Sequence, residues 1–321
     1  MARAVVLGAT GHIGAHIVRA LLAEGHEVRA AYRREQFLSV LEDLPIERVP
    51  VDLETGAGLP EALEGRQWVF HAAASYPSFR ARREGALDAG LASTRRTLEL
   101  IRRANPVRVV FTSSASTVER GIRQPASEPR GWRSLYAAVK TAIEREVQRA
   151  GQEGLPVTMV NPSVCLGEYD AHRFSGRAIL LFATYRLPVY LDYRFDAIYT
   201  GDVGIGHVRA AERGRLGERY VLTTRQVSLK ELWTRVGAAV GCAPPRWRVP
   251  YRLALAAALG TELAAWITGG EPLLPREAVP APHPTAPLDG APARRELALP
   301  QTPVDEAIRR ALAWFKANGL L

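Results

Sequence analysis

The 321-residue chain reads as an α/β fold, a doubly wound parallel sheet with a smaller, mostly C-terminal lobe. Two observations carry that expectation. Short apolar runs alternate with stretches of helical periodicity from residue 4 to residue 160, the rhythm of a parallel sheet covered on both faces. The runs are also continuously apolar, as in Ala4-Val5-Val6-Leu7, which suits strands buried on both sides.

The first run ends at Gly8, and helical spacing from Ile13 to Glu24 follows, stopped by Gly25. Glu27–Tyr32 is the second expected strand, Val49–Leu53 a shorter third and Trp68–Ala74 the fourth. Leu87–Ala104 reads as helix, Arg108–Thr112 as the fifth strand, Ser134–Ala150 as helix and Val157–Val160 as the sixth strand. After Pro162 the rhythm breaks. Residues 165–200 read as loop, helix and a short strand, Tyr220–Leu222 as a strand and Leu229–Val240 as a helix. Residues 271–303 are crowded with proline and read as loop, either a flap over the site or a rigid surface tie. Val304–Asn318 closes the chain as an amphipathic helix.

The formal charge is +9, yet Lys140, Lys230 and Lys316 are the only lysines, so the positive charge is almost all arginine. It is spread along the whole chain. With no basic run of five and no basic patch interleaved with aromatics, nucleic acid is not an expected partner. Cys165 and Cys242 are too few for a disulfide framework. Met1-Ala2-Arg3 leads straight into an apolar strand, so no leader peptide is expected and a cytoplasmic location is. The most apolar stretch, Leu253–Ile267, falls short of the ~20 residues that span a bilayer, so no membrane span is expected.

Gly8-Ala9-Thr10-Gly11-His12-Ile13-Gly14 sits between a strand and a helix. There Gly8 permits a tight turn, Gly11 lets the backbone approach a pyrophosphate, and Gly14 permits close helix–strand contact. The helix N-terminus adds free N–H groups and a partial positive charge, which suit phosphate. The pattern predicts dinucleotide binding on a Rossmann-type sheet. The second strand ends Ala31-Tyr32-Arg33-Arg34 with no carboxylate before Glu35. Two guanidiniums suit a ribose 2′-phosphate, so NADP(H) is favoured and NAD(H) is the second choice. Asp52 can accept from an adenine amino group or cap its own loop.

Tyr136 and Lys140 stand four residues apart on one expected helix face. A free phenol has a pKa near 10, too high for a base at neutral pH. A neighbouring ammonium and the positive charge of an oxidised nicotinamide favour phenolate. Thr112-Ser113-Ser114 ends the fifth strand, where a hydroxyl can bond the same substrate oxygen. No metal is expected.

These features resemble the extended short-chain dehydrogenase/reductase superfamily, also called the NAD-dependent epimerase/dehydratase family. Gly8–Gly14, Val51-Asp52-Leu53, His71-Ala72-Ala73-Ala74, Tyr136 with Lys140, Asn161-Pro162-Ser163-Val164 and Asp202-Val203 each match one of its motifs. Phe111-Thr112-Ser113-Ser114-Ala115-Ser116-Thr117-Val118 is most similar to dihydroflavonol 4-reductase-like members, and the match makes Ser114 the catalytic serine. The Asn161-Pro162-Ser163 segment and the last helix also resemble the bacterial hopanoid-associated sugar epimerase group. The resemblance implies that Gly8, Thr10, Gly11, His12, Ile13, Gly14, Asp52, Leu53, Ala72, Ala73, Ala74, Pro162 and Val164 line the cofactor, with Tyr136 and Lys140 beside it. It also implies a homodimer through helices 87–104 and 134–150, with Leu91, Leu98, Ile101, Val139, Ile143 and Val147 shared between core and partner. Two departures stand out. Gly90 occupies a position where the family commonly has Asn, and the Asn-x-Tyr-Gly-Pro segment of nucleotide-sugar epimerases is absent.

The expected organisation is a dinucleotide-binding domain over 1–164, rejoined by 201–227, with 165–200 and 228–321 as the substrate lobe. The expected activity is an NADP(H)-dependent oxidoreductase acting on a small-molecule ketone or secondary alcohol. Ser114, Tyr136 and Lys140 carry the catalysis. A nucleoside-diphosphate-sugar epimerase or dehydratase with bound NAD, and a non-catalytic redox-sensing NADP binder, are the alternatives.

Overall fold

The computed structural model describes residues 1–74, 83–118, 134–173, 175–270, 272–276, 279 and 286–321. The elements run β1 (Arg3–Leu7), α1 (His12–Ala23), β2 (Glu27–Tyr32), β3 (Glu47–Pro50), α2 (Leu59–Leu63), β4 (Trp68–His71), α3 (Arg83–Ala104), β5 (Arg108–Thr112), α4 (Leu135–Gln152) and β6 (Val157–Pro162). Then come β7 (Val164–Leu166), α5 (Arg177–Tyr185), β8 (Val189–Leu191), β9 (Arg194–Tyr199), α6 (Thr200–Arg213), β10 (Arg219–Leu222) and β11 (Arg225–Ser228). The chain ends with α7 (Leu229–Val240), β12 (Trp247–Val249), α8 (Tyr251–Thr268), α9 (Ala291–Glu296) and α10 (Val304–Ala317).

Seven strands form one sheet in the order β10-β6-β5-β4-β1-β2-β3, and every neighbour in it is parallel. Strand order reverses between β1 and β4, and in such sheets the crevice outside the strands' carboxyl ends at that reversal takes the ligand. Both faces are covered. Val6, Phe70, Val110 and Val160 pack under α1 and α6, whereas Val5, Val69, Val109 and Phe111 pack under α2, α3 and α4. This explains why consecutive strand residues are all apolar. The smaller sheets are β11-β9-β7 and β12-β8, and a second core joins α5, α7 and α10 through Phe182, Trp233, Val236, Ile308 and Phe315.

Several elements depart from the sequence reading. The third strand stops at Pro50, after which the Val51 amide still bonds the Tyr32 carbonyl at 2.7 Å before the chain turns back on Asp52. The fourth strand stops at His71. Residues 165–200 contain parts of three strands, each pairing across sequence rather than with a near neighbour. The proline-crowded segment is not loop throughout. Ala291–Glu296 is helical, Ala293 and Leu297 are fully buried under the large sheet, and Thr302 bonds Asp202 through its amide at 2.7 Å and its hydroxyl at 2.8 Å. The flap expected over 271–303 is thus replaced from 286 onward by a tie across the surface, while residues 271, 277–278 and 280–285 of it lie outside the described residues.

Of the six residues expected to be shared with a second subunit, Leu98, Ile101, Val139 and Val147 are buried within a single chain, and Leu91 and Ile143 are half-buried. Gly90 explains how the two helices come so close. A Cβ there would stand 3.1 Å from Val139 Cγ1 and 3.4 Å from Ile143 Cδ1, so an Asn at this position would need the Val139 side chain to give by a few tenths of an ångström.

Candidate functional site

The glycine turn is built by contact as much as by backbone freedom. Gly8 has φ +81°, and a Cβ on it would lie 2.7 Å from the backbone of Ala73, so the end of β1 sits directly against the end of β4. A Cβ on Gly14 would lie 2.1 Å from the Gly8 carbonyl oxygen. Gly11 is the N-cap of α1 with no side-chain cap bond, which leaves the first-turn amides facing the crevice without a side chain over them. A cradle that side chains would fill, under an uncapped helix start, fits a dinucleotide pyrophosphate.

Thr10 is buried and Ile13 half-buried in this turn. The His12 ring turns away into the joint with α6. Its Nε2 is 2.9 Å from Thr200 Oγ1, its Nδ1 lies 4.0 Å from Asp170 without a hydrogen bond, and burial holds its pKa below the usual histidine value. Of His12, only the backbone is then left for a cofactor. Arg33 and Arg34 are exposed just past β2, and Arg33 meets the exposed Glu54 at 2.9 Å. Asp52 caps its loop, since its Oδ1 accepts from the Glu54 amide at 2.8 Å. Leu53 is half-buried beside it.

At the carboxyl end of β4, the buried His71 ring stacks on Phe111 at 4.6 Å and leads into Ala72, Ala73 and Ala74. Burial first, and the Lys140 charge second, lower the His71 pKa to about 4, so it is neutral at pH 7. Ser134 starts α4 by accepting from the Ala137 amide at 3.1 Å. Tyr136, half-buried, and Lys140 then stand one turn apart. Lys140 is 5% exposed, and its Nζ donates to the Thr112 carbonyl at 3.3 Å, which pins the ammonium to the end of β5. Thr112 is fixed from the other side of the sheet. His207 Nδ1 donates to the Val203 carbonyl at 2.7 Å, so its Nε2 accepts from Thr112 Oγ1 at 2.8 Å.

The two serines part company. The buried Ser113 hydroxyl donates to Glu144, whereas Ser114 is half-buried and its oxygen accepts from the Ser116 amide at 3.2 Å and hydroxyl at 3.0 Å. Ser114 is the serine whose hydroxyl is not turned into the protein. Pro162 ends β6 opposite Leu222, and Val164, exposed, opens β7. The buried Ser163 Oγ and the Thr223 and Thr224 Oγ1 atoms cluster just past the ends of β6 and β10 and have no partner among the described residues. Unmet polar atoms at the carboxyl edge of a parallel sheet fit a polar ligand there.

Sequence reasoning missed the residue that ties this end of the sheet together. Glu144, 1% exposed, stands one turn beyond Lys140. Its Oε2 accepts from the Ser113 hydroxyl, from Thr117 Oγ1 at 2.6 Å and from Asn161 Nδ2 at 2.7 Å, and its Oε1 meets Arg219 Nη1 at 2.9 Å. Asn161 Nδ2 also lies 3.1 Å from the Ser114 carbonyl. The signal was present in the spacing, Tyr136 and Lys140 followed four residues later by Glu144.

The model of the NAD dependent epimerase/dehydratase family matches residues 4–223, which hold every element of this site. The chain belongs to that family. It is accordingly an NAD(P)-dependent enzyme of the short-chain dehydrogenase/reductase superfamily. Among curated relatives, it is 32% identical to a “Putative dihydroflavonol 4-reductase” of Synechocystis sp., covering 98% of this chain and 94% of the relative. It is equally 32% identical to “Sterol demethylase protein B” of Methylococcus capsulatus, covering 99% of each. Among solved structures, a nucleoside-diphosphate-sugar epimerase from Pseudomonas aeruginosa is 27% identical with a TM-score of 0.80, over 100% of this chain and 99% of that one.

Proposed function

We propose that the chain is an NADP(H)-dependent oxidoreductase of this family, interconverting a ketone and a secondary alcohol. The observation that carries the reading is the convergence on the end of β5: Lys140 is bonded to the Thr112 carbonyl, Tyr136 lies one turn before it, and Ser114, half-buried, bonds Ser116 rather than Glu144. When bound, the nicotinamide supplies or takes the hydride. In reduction, Tyr136 donates its phenolic proton to the carbonyl oxygen as that oxygen gains charge. Ser114 donates a hydrogen bond to the same oxygen. Lys140, one turn beyond Tyr136 and bonded to the Thr112 carbonyl, would hold the ribose hydroxyls of the cofactor. Residues from the lobe formed by 165–200 and 228–321 would enclose the substrate.

Relatives support a carbonyl on a lipophilic skeleton. Besides the sterol protein, they include a ketoreductase of a farnesylated quinoline from Stigmatella aurantiaca at 30% identity and a 3-beta-hydroxysteroid dehydrogenase from Mycolicibacterium neoaurum at 25%. The sugar-epimerase reading rests on the Pseudomonas aeruginosa structure. A panel of sterol and prenylated ketones separates the two. Net NADPH consumption is expected. Tightly retained NAD, with thermal stabilisation by a UDP- or dTDP-sugar and no net NADPH oxidation, would replace this proposal with the epimerase.

The exposed Arg33 and Arg34 past β2 support NADP(H) over NAD(H). Titration should show NADPH binding about tenfold more tightly than NADH, and Arg33→Ala should remove most of the difference by deleting one bidentate phosphate contact. Equal wild-type affinities would count against the 2′-phosphate site.

A further inference from the structure

Helix α8 is built inside out. The side chains it buries are Ala254, Ala258 and Ala265, and the large ones it exposes are Leu253, Leu259, Leu263, Trp266 and Ile267, with Ile267 72% and Trp266 70% exposed. Ala256, Ala257, Gly260 and Ala264 complete the outer face, so Arg252 is the only charge across five helical turns of exposed surface. Folding accounts for Ala254 and Ala258, which seat the helix on Val249 and Val279. It does not account for five large apolar side chains in solvent, since a contiguous patch of this kind marks an interaction surface.

The charge around the helix says what covers it. Glu262, the one acidic residue of α8, is turned off the face: its side chain is 14% exposed and it meets Arg276 through both the amide, at 2.8 Å, and the guanidinium, at 3.3 Å. The N-terminal end carries exposed Arg246 and Arg252, Arg248 paired with Asp192 at 3.2 Å, and Trp247, itself 62% exposed. A second copy of the chain docked here would bring a second set of arginines, while the carboxylates beside this face, Asp192 and Glu262, already pair with Arg248 and Arg276 of their own chain. Anionic lipid headgroups answer them, in a protein whose formal charge is +9.

No described helix is long and apolar enough to cross a membrane. An 18-residue helix with an apolar outer face and arginine at one end has the features of a helix that lies in the interfacial plane. We propose that α8 docks the enzyme on the surface of an anionic lipid bilayer, with Leu263, Trp266 and Ile267 entering the acyl boundary and Arg246 and Arg252 at the headgroups. This goes beyond the redox chemistry and does not depend on it, because docking requires neither cofactor nor substrate.

The test is co-sedimentation with vesicles of phosphatidylcholine alone and of phosphatidylcholine with about a third phosphatidylglycerol. The wild-type enzyme should partition onto the anionic vesicles, and Leu263→Glu/Trp266→Glu should lower that partition at least about tenfold. Because both side chains are exposed, the variant should keep its NADPH affinity and melting temperature, and Leu253→Glu/Leu259→Glu should repeat the loss from the other end of the helix. The proposal is overturned if the wild type stays in the supernatant with anionic vesicles at low salt, or if the variants bind as well as the wild type. It is also overturned if light scattering shows a wild-type dimer that Leu263→Glu/Trp266→Glu converts to monomer, which would make a second copy the occupant.

Discussion

Tyr136→Phe should lower turnover by about 10²–10⁴-fold while leaving NADPH affinity within about twofold. The ring stays and keeps its packing at the start of α4, so only the proton donor is lost. Lys140→Met should lower turnover and cofactor affinity together. Lys140 lies at the point where β5 and α4 meet, bonded to the Thr112 carbonyl at 3.3 Å, and its removal takes away both the ammonium one turn from Tyr136 and a donor to the ribose. Steady-state rates on a ketone that the wild type reduces, with NADPH titrated separately by fluorescence, distinguish the two variants. Near-normal turnover of Tyr136→Phe would sink the proposed acid. Ser114→Ala should fall between them, since its loss removes one hydrogen bond to the reacting oxygen and no proton source. Ser113→Ala should act only through Glu144, because its hydroxyl donates into the protein.

What the sequence revealed was what local physics writes into it. The Gly8–Gly14 turn was legible because Gly8 and Gly14 each meet a backbone atom that no Cβ could share space with. The Tyr136–Lys140 pair was legible because helical spacing is fixed. The parallel sheet was legible because burial on both faces leaves uninterrupted apolar runs. The elements missed were set by tertiary contact. Helix Thr200–Arg213 contains Gly201, Gly204 and Gly206, poor helix formers, yet Gly204 is required where the helix crosses α1, a Cβ there standing 2.6 Å from the His16 carbonyl oxygen. The three-residue strands β7, β8 and β12 carry too few side chains to show a period. In Tyr251–Thr268 apolar residues surround the helix, so no periodicity could say that the alanines face inward. The spacing Tyr136, Lys140, Glu144 puts Glu144 on the face of the catalytic pair, but only the fold reveals four donors converging on it.

Glu144→Ala should be the most destabilising single substitution in the site. Removing one partner of a buried, hydrogen-bonded ion pair typically costs about 3–5 kcal/mol, because the other charge is left uncompensated. Here the remaining charge is Arg219, whose side chain is 7% exposed and loses this carboxylate. The Ser113 and Thr117 hydroxyls and the Asn161 amide lose their shared acceptor at the same time. A lower melting temperature alone would say only that the network holds the fold. The sharper expectation concerns Glu144→Met/Arg219→Met, which replaces both charges with apolar side chains of similar length and should recover much of the lost stability. Turnover should not recover with it. The network holds Ser113 and, through Asn161, the Ser114 carbonyl, so without it the Ser114 hydroxyl loses its register with Tyr136, while the glycine turn, two strands away at the end of β1 and without a bond to the network, keeps its cofactor affinity. The double variant should therefore bind NADPH like the wild type, melt close to it and turn over at least about tenfold more slowly. If its turnover returned along with its stability, Glu144 would be structural only, and the placing of Ser114 would rest on its own bonds to Ser116.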